Sequence, residues 1–467
     1  MLTPRLRTQH NSTRHPTTTM NPLPSLPAAS TSALLRSALQ DRVVGSLVGS
    51  ALGDTIGLYT EFLSAAAALE AYPSRTFTLV PPLGPTPAKF DLHRGSKPPA
   101  HWTDDTDHAL LLLLAFLQTA STESPEQPPL PTQTALAARL RVWVQQGFRP
   151  LETMPLGLGR LVGSVVATKG FEVEPERIAR EHWEKTGKKA APNGSLMRTH
   201  PLGLMCLWRG EEEAFALAAE ISRVTHVDAR CVVACVIATG LVRGIVRGEV
   251  ADEEAVDELI TRGGEWAVQQ GEEVDVEELG RHVQCQNLEE LKLDESTAIG
   301  YVYKALGSGV LLLRLAMRKI AESRGSLLVR SRLFEELVTD LIMCGGDADT
   351  NACFAAALLG AFLGYGALPD HWSHGLTHEE WFLGKAEALC QVLGVKDGRY
   401  VGQEDKDTHP DGGKPHIPQD EMEGRWMVLQ SEVAKKMDEY AKANVTKLKG
   451  KGSGWTASLP WKDKSKR

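Results

Sequence analysis

The stretch HWTDDTDHALLLLLAFL, residues 101–117, decides how the rest of the chain is read. Its second half is a block of leucine, alanine and phenylalanine, and its apolar core, residues 109–117, has about half the length that a membrane-spanning helix requires. A buried core helix is expected. Thr103 stands where an N-cap hydroxyl belongs, and Asp104, Asp105 and Asp107 then fall in the first turn, where carboxylates suit the positive end of the helix dipole. Capping explains one such acid. Three acids exceed what a cap needs, and the surplus points to chemistry.

Helical spacing continues on both sides of this stretch. Leu136, Leu140, Trp143 and Val144 follow an i, i+4, i+7, i+8 pattern, and Leu333, Phe334, Leu337, Val338, Leu341 and Ile342 recur every three to four residues, each set forming one apolar stripe of an amphipathic helix. Alternating patterns are scarce, and residues 76–80 are the best strand candidate. The fold expected is therefore all-α. Regular structure should begin near Ser32, after a disordered tail over 1–31. One domain is expected over 32–397, with the acidic segment 248–296 inserted as solvent-facing helices and loops. A turn-rich linker, a charged helix around 421–446 and a basic tail should fill 398–467.

The 467 residues carry 51 Lys and Arg against 59 Asp and Glu, a formal charge of −8, which argues against a chain-wide grip on nucleic acid. A small polar substrate or a protein partner fits better, and neither nucleic acid nor membrane is expected. The 7 cysteines are scattered without a CxxC pair, the pattern of a reduced, intracellular protein. Cys231 and Cys235 read as two buried thiols on one helix face, without a function. The first 40 residues hold Arg5, Arg7, Arg14 and Arg36 and no acid. Their prolines spoil an amphipathic helix, so a cytoplasmic tail is expected, with a mitochondrial presequence as the alternative and Met20 as an alternative start.

A second stretch, CGGDADTNACFAAALLGAFLGY at 344–365, has the build of the first: two glycines free the backbone, Asp347 and Asp349 follow, and Thr350 opens an apolar helix. Two helix starts, each with a threonine hydroxyl and two carboxylates within four residues, supply six oxygen donors for hard cations such as Mg²⁺ or Mn²⁺. Two ions about 4 Å apart could share them. No His or Cys stands in a register that suits zinc, and His101 and His108 read as surface or packing residues. LGDTIGLYTEF at 52–62 adds Asp54 and Glu61 beside closely spaced glycines. APNGSLMRTHPLGL at 191–204 places Asn193, Gly194 and Ser195 in a turn whose amides and hydroxyl could hold a diphosphate or could simply start a helix. His226 could touch ligand or cap a helix. Gly157 and Gly159 in PLGLGRLVGS form a glycine-rich loop without the preceding strand of a dinucleotide fingerprint.

Taken together and in order, GDTIGLYTE, TDDTDHAL, NGSLMRTHPLG and GGDADTNACFAAALLGAFLGY resemble the motifs of the ADP-ribosylglycohydrolase family, over roughly residues 41–395. That family includes the enzymes that remove ADP-ribose from arginine or serine and the dinitrogenase reductase activating glycohydrolase. The resemblance implies an all-α orthogonal bundle around a binuclear Mg²⁺ or Mn²⁺ site held by Thr103, Asp104, Asp105, Asp347, Asp349 and Thr350. It places Glu61 at the family's gating glutamate, and Gly157, Gly159, Asn193, Gly194, Ser195 and His226 along the diphosphate and ribose pockets. Glu61, Asp105 or Asp349 would take the proton of the attacking water, and the substrate would be an ADP-ribosylated protein or a small ADP-ribose conjugate acted on by a monomer. Two departures stand out. Several members carry an Asp where this chain has Pro155, and some have Tyr or Ser shortly before the Asn-Gly turn, where Ala190 and Ala191 stand here. Two other activities remain compatible with the motifs: a catalytically silent binding or structural relative, since the family's fold also serves as an eye-lens crystallin, and a binuclear-metal nucleotide diphosphatase.

Overall fold

The computed structural model describes residues 28–120 and 128–450. Residues 1–27 of the expected N-terminal tail, the alternative start at Met20 and residues 451–467 lie outside the described residues, and the first helix begins at Ala28, ahead of the expected Ser32. Within the described residues the chain consists of helices joined by turns and extended loops. Its first half runs through α1 (Ala28–Gly57), α2 (Ala65–Ala71), α3 (Leu92–Gly95), α4 (Asp104–Gln118), α5 (Gln133–Gln146), α6 (Arg160–Ala167), α7 (Pro175–Lys185), α8 (His200–Met205) and α9 (Glu211–Arg223). Its second half runs through α10 (Ala229–Arg247), α11 (Glu253–Gln269), α12 (Val276–Val283), α13 (Val302–Glu322), α14 (Leu327–Ile342), α15 (Ala348–Leu363), α16 (Asp370–Ser373), α17 (Glu379–Val392) and α18 (Gln419–Gly450).

The expected all-α class holds, because among the described residues only three isolated β-bridges occur and no strand. The strand expected over residues 76–80 is not formed. Phe77 and Leu79 are buried as alternation predicts, but their backbone partners are the Trp372 indole, which donates to the Phe77 carbonyl at 2.9 Å, and the His371 carbonyl, which accepts from Leu79 N at 3.0 Å. With no neighbouring strand the segment stays extended and unpaired.

The centre of the molecule is α15, which beyond its polar first turn is apolar all round, the signature of a helix enclosed on every side. It packs against α1, α10, α13 and α14. The contact with α1 is antiparallel and built on small residues spaced by four: Gly45, Gly49, Gly53 and Gly57 face Gly360, Ala356, Ala352 and Ala348. A Cβ on Gly49 would fall 2.7 Å from the Ala356 carbonyl oxygen, and one on Gly57 would fall 2.5 Å from that of Ala348. These two helices touch backbone to backbone. Their pairing brings the C-terminal end of α1, with Asp54 and the turn to Glu61, against the N-terminal end of α15, with Asp347 and Asp349.

α10 is long and apolar enough to cross a membrane by length and composition, yet 89% of that window is buried inside the protein. Asp228 caps its start by accepting from Arg230 N at 3.1 Å, and Gly248 ends it in the left-handed conformation at φ 77°. Here Cys231 and Cys235 are fully buried, one turn apart, and hydrogen-bond to the Pro192 carbonyl and the Ser195 hydroxyl. The acidic segment 248–296 forms α11 and α12, with Val256, Leu259, Leu279 and Val283 buried under their charged faces.

Residues 398–418 form no helix longer than one turn, in line with their turn-forming composition, but they are tied down along their length. Arg139 donates to the Thr408 carbonyl at 2.7 Å, Lys385 pairs with Asp405 at 2.6 Å, and Ile417 N donates to the Gln146 side chain at 3.1 Å. α18 then returns to α3, where Lys436 donates to the Gly95 carbonyl at 3.2 Å and the Tyr440 ring lies 5.2 Å from that of Phe90.

Candidate metal centre

The two acidic helix starts meet in the interior. Thr103 is the N-cap residue of α4, but its hydroxyl makes no capping bond; it donates to Asp105 Oδ2 at 2.9 Å. The capping is done from another helix. Asp54, fully buried in α1, accepts from Thr103 N and Thr106 N at 3.0 Å and from the Thr106 hydroxyl at 2.7 Å. Asp104 and Asp105 are thereby released from capping duty. At the other start, Asp347 precedes α15 and accepts from the Asn193 amide at 2.9 Å, while Thr350 N donates to Asp349 Oδ1 at 2.9 Å.

Asp54, Asp105 and Asp349 each bring a carboxylate oxygen within 4.8 Å of the others, and so do Glu61, Asp347 and Asp349. Asp349 belongs to both groups. Burial, with the mutual repulsion of these acids, pushes the carboxyls of Asp104, Asp105 and Asp349 well above their ordinary range. Glu61 goes the other way. Burial alone would raise it, but the hydrogen bond from His93 and the charge of Lys97 hold it below its ordinary value.

The donor set fits hard divalent cations. It offers oxygen only, and Asp105 Oδ1 is buried with no hydrogen-bond partner, an arrangement that costs free energy unless a cation supplies the missing contact. Thr103, Asp105, Asp349 and Thr350 are buried and Asp104 and Asp347 lie partly exposed; of the six expected oxygen donors, Asp105, Asp347 and Asp349 stand in the two donor groups, and Thr103 is hydrogen-bonded to Asp105.

The pocket residues divide. Gly157 belongs to the site: at φ 97°, in the left-handed region, a Cβ there would collide with Asp104 Oδ1 and come to 3.1 Å from Lys97 Nζ. Gly159 caps α6 and has nothing within 4 Å of its Cβ direction. Asn193 reaches the cluster through Asp347, and a Cβ on Gly194 would come to 3.1 Å from the His226 ring. Ser195 does not line a cleft. It is fully buried, with its hydroxyl accepting from Ser222 at 3.2 Å and from the Cys235 thiol at 3.4 Å, so it supports the turn from below. His226 is buried, hydrogen-bonded to Thr225 at 2.7 Å, and kept neutral by burial and by the neighbouring Arg198. His101 and His108 are packing residues. His101 bonds to the Trp102 carbonyl, and His108 stands edge-on to Trp143 with ring centroids 4.5 Å apart. Asp107 is a core acid, accepting from the indoles of Trp102 and Trp143 at 2.8 Å.

Three residues at the carboxylate cluster carry little signal in the sequence. Asp54 was visible as an acid in a glycine-rich helix, but its role depends on a partner helix some fifty residues away. His93 and Lys97 sit in an unpatterned, proline-flanked stretch, and only the fold carries them to Glu61 and Asp104.

A curated protein of Archaeoglobus fulgidus, described as uncharacterized, is 24% identical over 361 residues, covering 76% of this chain and 97% of its own. A solved structure described as an ADP-ribosylglycohydrolase-related protein complex aligns with a TM-score of 0.47 and 24% identity, over 76% of this chain and 99% of that one. The sequence profile of the ADP-ribosylglycohydrolase family matches residues 35–399. A profile match over most of the chain, through all four motifs that meet at the carboxylate cluster, places the protein in the ADP-ribosylglycohydrolase family.

Proposed function

We propose that the protein is a glycohydrolase dependent on two divalent ions, Mg²⁺ or Mn²⁺, that cleaves the bond from C1″ of the distal ribose of ADP-ribose to a protein side chain or small acceptor and releases ADP-ribose. The observation that carries this reading is Asp349, a carboxylate common to two oxygen-donor groups, a position from which one acid can serve two ions about 4 Å apart. Thr103, Asp104, Asp105, Asp347, Asp349 and Thr350 would hold the ions. When bound, the ions supply charge stabilisation and a water of lowered pKa.

The remaining steps fall to the chain itself. Glu61, kept ionised by His93, is placed to take a proton from water as positive charge develops on the ribose ring. Asn193 holds Asp347 in orientation, and Gly157 leaves open the approach to Asp104. This differs from the two-carboxylate arrangement of ordinary glycosidases, because the acids here gather at one point rather than flanking a bond. The family's Asp at the position of Pro155 is absent, so no second base comes from that loop.

Product analysis tests the reading. ADP-ribosyl-arginine, ADP-ribosyl-serine, poly(ADP-ribose) and an ADP-ribose ester, each incubated with Mn²⁺, should yield intact ADP-ribose from at least one. Release of AMP would identify a diphosphatase, and no product from any of the four would leave a silent relative.

A further inference from the structure

Lys97 is a lysine set beside the carboxylate cluster. Its side chain is only 8% exposed, and among the described residues its ammonium has no hydrogen bond and no carboxylate oxygen within 4.0 Å. A buried, unpaired ammonium is costly unless something nearby offsets it. Burial alone would depress it, but Glu61, Asp104, Asp349 and Asp54 together outweigh that and hold it above its ordinary value. Its position is marked by Gly157, since a Cβ there would meet both Asp104 Oδ1 and Lys97 Nζ. The glycine loop, the acid and the ammonium therefore converge on one spot at the edge of the proposed ion pair.

A cation in that position acts in two opposite directions. It repels a divalent ion beside Asp104 and so weakens metal binding. It also offsets carboxylate charge that two divalent ions leave behind, and so favours an anionic ligand such as a diphosphate. The side chain has room to adjust, because it also lines a cavity of about 200 Å³ walled by Tyr59, Pro85, Pro98 and His101.

Resting on the metal-dependent reading above, we propose that Lys97 is a specificity-determining residue: a tethered cation that lowers the affinity of the carboxylate cluster for divalent ions and raises its affinity for the anionic ligand. Lys97 does not enter the bond-breaking step. It sets how many positive charges the site demands from solution.

The test is calorimetric, on the full chain, with Mn²⁺ alone and then with ADP-ribose at saturating Mn²⁺. Lys97→Met should bind Mn²⁺ more tightly and ADP-ribose more weakly, each by about tenfold, the scale expected when one screened unit charge a few ångströms away is removed. Lys97→Arg, which keeps the charge, should stay near the parent in both. A structural role for the side chain would weaken both ligands together, and that outcome overturns the proposal. So does an unchanged constant for either ligand in Lys97→Met. If the parent itself binds no Mn²⁺, the metal-dependent reading falls along with the proposal, whereas equal Mn²⁺ affinity in parent and variant removes the proposal alone.

Discussion

Asp349 is asked to serve two groups of acids at once, and that doubling separates its two possible roles. As a mere helix-start residue it would tolerate Asn, a good substitute at such positions. As the shared ligand it would not. Asp349→Asn should leave the metal-free protein as stable as the parent or slightly more so, because one of several repelling carboxylates is gone. Its hydrolysis should fall by roughly 10²-fold or more, the scale of removing a group that stabilises transition-state charge. Parent-like rates of ADP-ribose release in this variant would reduce the second acidic stretch to a cap. The acids that α4 and α15 bring to the cluster, Asp105, Asp347 and Asp349, were legible in the sequence because each lies within four residues of a helix start. Asp54 was not assigned a role, since what it caps is a different helix. Ser195 misled for a related reason: letters show that a hydroxyl sits in a turn, but not which side of the turn faces the core.

The α1–α15 contact shows what a helix pair can specify that single residues cannot. Gly53→Ala would drive a methyl group into the Ala352 carbonyl, and the two helices would have to part, at a cost of about 1–3 kcal/mol or more. Gly264, in the interior of α11, has nothing within 4 Å of its Cβ direction, so Gly264→Ala should stabilise by about 0.5–1 kcal/mol through backbone entropy alone. Urea midpoints should therefore move in opposite directions, and a shared sign would refute the backbone-contact argument. Helix positions were readable from periodicity, and so was the charged C-terminal helix. The behaviour of residues 398–418 was not, because their attachment runs through side-chain contacts with Arg139, Gln146 and Lys385, which leave no periodic trace.

Across the whole molecule, the core encloses imidazoles as well as carboxylates. His200 has its pKa lowered to about 3 by burial, against about 6.5 in an unfolded chain. The unfolded state therefore binds the proton first. The stability that depends on a neutral His200 is complete above pH 6.5 and is lost as pH falls toward 3, by up to about 1.4 kcal/mol per pH unit. The raised acids shift the pH dependence the opposite way, so comparison with a variant isolates the histidine: between pH 6 and pH 4, His200→Gln should lose stability less steeply than the parent in urea titrations. Parallel slopes would mean that His200 is already protonated in the folded protein. The all-α class was plain from the sequence, whereas the enclosure of this histidine was not, since a His beside Pro201 has no letter-level mark of depth. The glycine-lined pairing of α1 and α15 carries a historical consequence as well. Side-chain contacts can drift, one methyl group traded for another across a lineage, but a contact made of backbone has no intermediate sizes to pass through. Sequences descending from this one should vary freely in the apolar layers while Gly45, Gly49, Gly53 and Gly57 stay fixed or change only together with the helix they face.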